Sequence, residues 1–395
     1  MTNNKSNYIQ TEIGLIPEDW KIYPIKDLAL IKTGSRNTQD KVEEGDYPFF
    51  VRSQTIERIN SYSFDGEAVL TAGDGVGVGK VIHYVNEKFD CHQRVYRISD
   101  FKDGINGYYF YLYFSNNFLN RIMQMTAKSS VDSVRMEMIA DMQVPIPPTL
   151  QEQTAIAQAL SDTDNLITNL QNLINKKRQL KQAAMHQLLT PKEHWDKEKN
   201  SEFKNVKLGD IADIQRGASP RPIEDPIWFD NNSETGWVRI SDVTDANKFL
   251  VKTTQRLSNL GIKNSRYVCQ DSLIMSICAT IGKPIITRIN VCIHDGFVVF
   301  KNLKVNMVYL YYILEFIQNE WSKNGQTGSQ MNLNTSLINN FQFVIIKSSQ
   351  QQNYIAELLS DIDLEIESIN NKLDKALKLK DGMMQNLLTG KIRLV

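Results

Sequence analysis

The stretch Gly73-Asp74-Gly75-Val76-Gly77-Val78-Gly79-Lys80 has the spacing closest to known chemistry, because glycine-rich loops let backbone N–H groups approach phosphates. A nucleotide P-loop needs Gly five residues before its Gly-Lys pair and a Ser or Thr after it to hold Mg²⁺. Asp74 and Val81 occupy those positions. A dinucleotide fingerprint needs Gly at Val78 and a helix afterwards, whereas Val81-Ile82-His83-Tyr84-Val85 has strand character. A methyl-donor loop of the form D-x-G-x-G-x-G needs an acid at Gly73. The corresponding stretch in the second half of the chain, Ser276-Ile277-Cys278-Ala279-Thr280-Ile281-Gly282-Lys283, keeps the Gly-Lys pair and loses the other glycines. Both are expected to be strand-to-strand loops allowing close backbone approach, with Lys80 and Lys283 as candidate phosphate contacts.

Other catalytic patterns fail as well. His83, His92, His186, His194 and His294 form no H-E-x-x-H or H-x-E pattern, and His186 and His194 are expected at the surface. Cys91, Cys269, Cys278 and Cys292 have neither zinc-site nor disulfide spacing and are expected to be buried free thiols. The adenine-methylase tetrapeptide Asn/Asp-Pro-Pro-Tyr/Phe is absent, since Ile146-Pro147-Pro148-Thr149 lacks both flanking groups. Nuclease acid clusters and helicase boxes are missing too.

Residues 1–150 carry 16 basic and 19 acidic groups, and residues 200–349 carry 16 and 13, so neither half is a basic module. Phosphate neutralisation supplies most non-specific DNA affinity, so any nucleic-acid binding here requires locally focused charge or charge from partners. Residues 1–8 lack the apolar core of an export signal, and no run approaches the roughly 20 apolar residues of a membrane span. A cytoplasmic location is expected.

An internal repeat organises the chain. Residues 151–192 align without a gap to 350–391 at an offset of 199, with 18 of 42 positions identical, far beyond chance. The beginnings of the halves match at an offset of 183, pairing Trp20-Lys21 and Gly34 with Phe203-Lys204 and Gly217. The second half therefore carries about 16 extra residues between its landmarks. Each half ends in a predicted long helix. Thr149-x-x-Glu152 and Ser348-x-x-Gln351 read as capping boxes. Apolar residues then recur at alternating spacings of four and three, as in Ile355, Leu359, Ile362, Ile366, Ile369, Leu373 and Ala376. The first copy runs Ile156, Leu160, Thr163, Ile167, Leu170, Ile174. This period of 3.5 specifies a coiled-coil seam, and two rods of about 60 Å in one chain favour mutual antiparallel packing. Pro191 and Gly390 end the helices. Short strands are expected at 67–71, 80–85, 94–98, 272–277 and 296–300, and helices near 108–125 and 308–324. The fold class is α+β: two similar, β-rich mixed domains separated by two long antiparallel coiled-coil helices, with internal pseudo-two-fold symmetry.

Several pieces occur in order, some of them twice, and together they carry a resemblance. They are Gly14-Leu15-Ile16-Pro17-Glu18-Asp19-Trp20; the 73–80 loop with His92-Gln93-Arg94-Val95; and Val144-Pro145-Ile146-Pro147-Pro148 with Gln151-Glu152-Gln153. Gly236-Trp237-Val238-Arg239-Ile240-Ser241-Asp242-Val243 and the Leu-Leu-Thr helix ends complete the set. Across nearly its whole length the chain resembles the specificity subunits of type I restriction–modification systems. One departure is Ser348-Ser349-Gln350-Gln351-Gln352, which replaces the usual Pro-rich run with its Glu. The resemblance implies a non-catalytic subunit with a target recognition domain at 1–148, a spacer helix at 149–190, a second recognition domain at 191–347, a second helix at 348–389 and a tail at 390–395. It implies a bipartite double-stranded DNA target, one half-site per domain. It further implies two methylase subunits that methylate adenine and motor-nuclease subunits as partners. No membrane association is expected, and no cofactor or metal is expected on this chain, since the resemblance assigns S-adenosylmethionine, ATP and Mg to the partners.

Base readout needs Arg, Lys, Gln, Asn or Ser at groove edges. Candidates in the first domain are Arg36, Arg52, Ser53, Gln54, Lys80, His92, Gln93, Arg94, Lys128 and Ser130. Those in the second are Arg216, Ser219, Arg221, Arg239, Ser241, Lys283, Gln326, Thr327, Ser329 and Gln330. Arg36 and Arg216, beside the matched Gly34 and Gly217, lead; Arg52 and Arg239 follow, on matching apolar-Val-Arg strands. Three alternatives remain: a specificity subunit of a fused type II system, a small-molecule transferase built on the 73–79 loop, and a structural coiled-coil scaffold.

Overall fold

The computed structural model describes residues 7–125, 133–190, 203–324 and 333–395. The chain divides into two units, Met1–Gln171 with Asn371–Val395, and Asn172–Asn370.

Unit one is built on a six-stranded sheet in the order Leu30–Thr33, Val95–Ser99, Phe64–Ala72, Ile82–Cys91, Tyr47–Phe50, Glu57–Ile59. Neighbours are antiparallel except Tyr47–Phe50, which runs parallel to Ile82–Cys91. Val69 and Ile98 face the helix Gly107–Met125. Phe110, Phe114 and Phe118 recur every four residues on that helix and stack ring on ring, filling one buried stripe. The same core takes in Ile156, Ala157 and Leu160 from one long helix and Leu387 and Leu388 from the other.

Unit two keeps this topology with one break. Asp213–Arg216, Phe297–Lys301, Leu273–Ser276 and Pro284–Thr287 follow the order of their unit-one counterparts. The counterpart of the ten-residue strand Ile82–Cys91 is interrupted, giving Pro284–Thr287 and Val291–Ile293. Val291–Ile293 joins a separate sheet, in which Gly236–Val238 runs parallel to it as Tyr47–Phe50 does in unit one. Much of the extra sequence in the second half forms the helix Ile240–Asp245 and the strand Phe249–Leu250, which closes the edge beside Pro284–Thr287. The expected helix at 308–324 is two helices, Met307–Phe316 and Gln318–Asn324, divided at Ile317 although the sequence has no Pro or Gly there.

The two long helices span Leu150–Leu189 and Ser349–Leu387. Thr149 Oγ1 accepts the Glu152 N–H at 3.2 Å and Ser348 Oγ accepts the Gln351 N–H at 3.4 Å. The return half of the first capping box does not form. The buried Glu152 carboxylate instead receives the Arg393 guanidinium, which also binds Asp19. Gly390, at φ +68°, closes the second helix by donating to Leu387 O. Within unit one Lys380 pairs with Asp164 at 2.5 Å, and within unit two Lys181 pairs with Asp363 at 2.7 Å. These are the same pair under the 199-residue offset. Together with Glu152–Arg393 in unit one and Lys177–Glu365 in unit two, they show the contacts running in opposite directions along the two segments, which are therefore antiparallel within each unit. Of the expected heptad positions, Ile156, Leu160, Thr163, Ile167, Ile174, Ile355, Leu359, Ile369 and Ala376 are buried, while Leu170, Ile362, Ile366 and Leu373 are half-buried.

Candidate nucleic-acid interface

In unit one the matched Gly34 sits where a Cβ would lie 2.0 Å from Cys91 O, so the turn after Leu30–Thr33 presses on the end of Ile82–Cys91. This contact brings Arg36 beside His92 as a β-bridge and points Arg36 Nε at the buried Asp90, 3.0 Å away. Ser61 and Ser63 donate to the same carboxylate. Gln93 donates to Asn37 at 2.7 Å. The buried His92 ring accepts the Arg94 N–H on Nδ1 at 3.0 Å. Burial, reinforced by Arg52, lowers the His92 pKa, which favours the neutral ring.

Arg52 and Arg239 lie just beyond their strands, not within them. Arg52 Nη1 meets Asp74 Oδ1 at 2.7 Å, and Arg94 Nη1 lies 3.6 Å from the other oxygen. Gln54 donates to Lys80 O, Ser53 Oγ to Thr55 O, and Lys80 is exposed. Contacts thus join Arg36, His92 and Gln93 in one group and Arg52, Gln54 and Lys80, with Ser53 beside them, around the 73–80 loop, where Arg94 meets Arg52 on Asp74; Lys128 and Ser130 lie outside the described residues.

Unit two repeats the corner with other side chains. A Cβ on Gly217 would lie 2.0 Å from His294 O, and His294 Nδ1 accepts the Gly296 N–H at 2.9 Å. Asp295 is the local anchor: Ser219 donates to it at 2.9 Å, Arg221 lies 3.7 Å away, and Arg216 Nε donates to its carbonyl at 2.7 Å. Burial would raise the Asp295 pKa, but Ser219, its own N–H, His294 and Arg216 together hold it below the usual carboxylate value. Arg239 donates to Gln255 Oε1 at 2.5 Å. Ser219, Arg221 and Arg239 line an open cleft of about 860 Å³ with Trp237, Phe229 and His294. Ser241 is exposed on the following helix, outside that lining. The Lys283 ammonium is held by the carbonyls of Thr244 and Ala246, each at 3.0 Å, and would have to leave both to meet a phosphate. Gln326, Thr327, Ser329 and Gln330 lie outside the described residues.

The carboxylates that hold these cations, Asp74, Asp90 and Asp295, are missing from the sequence-derived set, because a search for DNA contacts looks for cations and amides. Their signal was adjacency: Asp90 and Asp295 stand two residues before and one after the corner histidines. Cys91 and Cys292 are buried as expected, but Cys278 is half-buried and Cys269 exposed, against expectation. No group of three or more His, Cys, Asp or Glu among the described residues is placed to hold a metal ion. No described helix is long and apolar enough to cross a membrane. The N–H groups of Val78, Lys80 and Val81 bond within the 73–80 loop, to Gly75 and Gly77 carbonyls, instead of forming a phosphate cradle.

Comparison with known proteins agrees with this duplicated arrangement. Residues 17–181 and 200–379 each match the family described as the type I restriction modification DNA specificity domain. The chain is 26% identical over 443 residues to a putative type I restriction enzyme specificity subunit, MjaX, of Methanocaldococcus jannaschii, covering 99% of this chain and 97% of that one. It is 30% identical over 169 residues to the Escherichia coli EcoDI specificity subunit, covering 43% of this chain and 36% of that one. The fold is similar to the crystal structure of a type I system S subunit from M. genitalium, with a TM-score of 0.66, 17% identity and coverage of 98% and 97%.

Proposed function

This chain belongs to the type I restriction–modification DNA specificity family, and from that premise we propose that each unit reads one half of a bipartite double-stranded DNA target. In this reading the chain recognises sequence and directs partners, two methylase subunits and motor-nuclease subunits, which modify or cut the DNA. S-adenosylmethionine, ATP and Mg act on those partners. The observation that carries the reading is the repeated corner. In both units a glycine that tolerates no Cβ and a histidine accepting a backbone N–H place Arg and Ser side chains around an Asp. The scaffold is shared and the side chains differ, as two readers of different half-sites require. Acids among the cations limit non-specific attraction to phosphate, in keeping with a neutral chain whose partners would supply positive charge.

The test is co-purification of the chain with the methylase encoded beside it, followed by genome-wide mapping of methylated adenines. The expected result is one bipartite motif that disappears when this chain is deleted. Methylation that persists without the chain overturns the reading.

A further inference from the structure

We propose that the 73–80 loop is a positioning device that aims two base-reading arginines, Arg52 and Arg94, through the carboxylate of Asp74; this rests on unit one being a half-site reader. The glycines touch the two arginine segments directly. A Cβ on Gly77 would lie 2.5 Å from Arg52 O, and one on Gly73 would lie 3.0 Å from Arg94 O, to which Gly73 N–H also donates at 2.8 Å. Between them, Asp74 offers one oxygen to each guanidinium, at 2.7 and 3.6 Å. The acid is recessed, with its side chain 25% exposed, whereas the arginines are 45% and 64% exposed, so the cations project past their anchor. His92 fixes the Arg94 backbone from the other side.

An arginine reads guanine by presenting two parallel N–H groups to O6 and N7. Its long side chain must be ordered first, and Asp74 does this for Arg52 by taking one donor and for Arg94 by charge attraction, leaving the remaining donors outward. The same negative charge disfavours replacing a base contact with a phosphate contact. Unit two provides the contrast. Strand pairing shifts the match by one residue from the sequence register: Ala72 lies opposite Val95 and Ser276 opposite Phe297, so Ile277, whose N–H donates to Gly296 O, takes the place of Gly73. Cys278 then stands where Asp74 does and Gly296 where Arg94 does, so both the acid and the second arginine are missing there. Arg239 leans on neutral Gln255 instead. The device therefore belongs to unit one alone, and the half-site read by unit one should contain a G·C pair.

The experiment maps methylated adenines for the full chain with its methylase, as wild type, Asp74→Asn, Arg52→Lys and Arg94→Lys. Discrimination at G·C pairs of one half-site should fall roughly 5- to 100-fold in Asp74→Asn, with the other half unchanged. Arg52→Lys and Arg94→Lys should each relax a single G·C pair of that half-site, because lysine keeps the charge and loses the fork. Binding of Asp74→Asn to unrelated DNA should be as tight or tighter, since a negative charge has gone. A uniform loss of affinity with no relaxed base would make Asp74 structural and overturn the proposal. So would a half-site without G·C, or a motif unchanged in the Arg52→Lys, Arg94→Lys double variant, which leaves the loop intact should Asp74→Asn fail to fold. Each of these leaves the half-site reading standing; a wild-type complex with no bipartite motif overturns both.

Discussion

His294 holds the Gly296 N–H on an unprotonated ring nitrogen and packs against Phe297 and Trp237, so a proton there breaks the corner it builds. Burial lowers its pKa below the usual 6.5, Arg239 acts in the same direction, and Asp295 opposes them. A folded-state pKa below the unfolded value gives stability that is complete above about 6.5 and is lost as pH falls towards the folded value. Unit two should therefore lose Tm between pH 7 and pH 5. In His294→Asn, whose amide oxygen can still accept the N–H, that slope should flatten even if the starting Tm is lower; an unchanged slope in thermal scans would assign the pH dependence elsewhere. This corner was partly legible in the sequence. Gly34, Gly217 and the histidines were visible as matched landmarks, but their purpose depends on carbonyls that the sequence cannot place. Retention of the Gly-Lys pair has a similar cause. Gly79 and Gly282 both have positive φ and lie against a helix, at Leu119 and Ile122 and at Trp321.

The long helices were the most legible elements, because a heptad pattern is local and strong enough to survive any arrangement of the domains. Charges along them were not, since their partners lie far away in sequence. Lys181, its side chain 12% exposed, binds both Asp363 and the half-buried Glu315, whereas its repeat mate Lys380, 29% exposed, binds Asp164 alone. Removing Lys181 strands two carboxylates. With those partners partly screened by solvent, Lys181→Ala should cost about 2 kcal/mol, between the buried and exposed cases, and Lys380→Ala under about 1 kcal/mol. Equal shifts in chemical denaturation would show that burial does not separate the two pairs. Beside this network, Lys248 is buried with its ammonium on Tyr312 and Ser360, and burial pushes its pKa down to about 8. It sits on the segment peculiar to the second half, immediately before the strand Phe249–Leu250. Its charge is a liability to the fold, so Lys248→Met should stabilise unit two by about 1 kcal/mol or more. The sign sets the pH window. The advantage is complete below about 8, where the folded state must hold the charge. It shrinks towards 10.5, above which neither state is charged. An advantage that grew with pH would contradict a buried ammonium.

At the scale of the molecule the duplication was legible in the helices and the beginnings of the halves, while the middles had lost identity. The structure retains in those middles a strand order that sequence comparison could not recover, because strands tolerate any residues with the right alternation and burial. The consequence belongs to the proposed function: if helices of this kind set the gap between half-sites, the gap should be adjustable without touching either reader. A heptad inserted between Gln171 and Asn172, with another between Lys372 and Leu373, adds seven residues at the same level of both helices. Asp164 and Lys380 lie on one side of that level, and Lys181 and Asp363 on the other, so both ion pairs keep their partners. Seven residues leave the apolar seam in phase, which insertion of four or five would not. Each insertion adds about 10 Å of helix, equivalent to roughly 3 base pairs at 3.4 Å per pair. The methylated motif should keep both half-sites and gain about 3 unspecified base pairs between them. A gap that stayed constant while both half-sites were still recognised would show that something other than the helices sets the spacing.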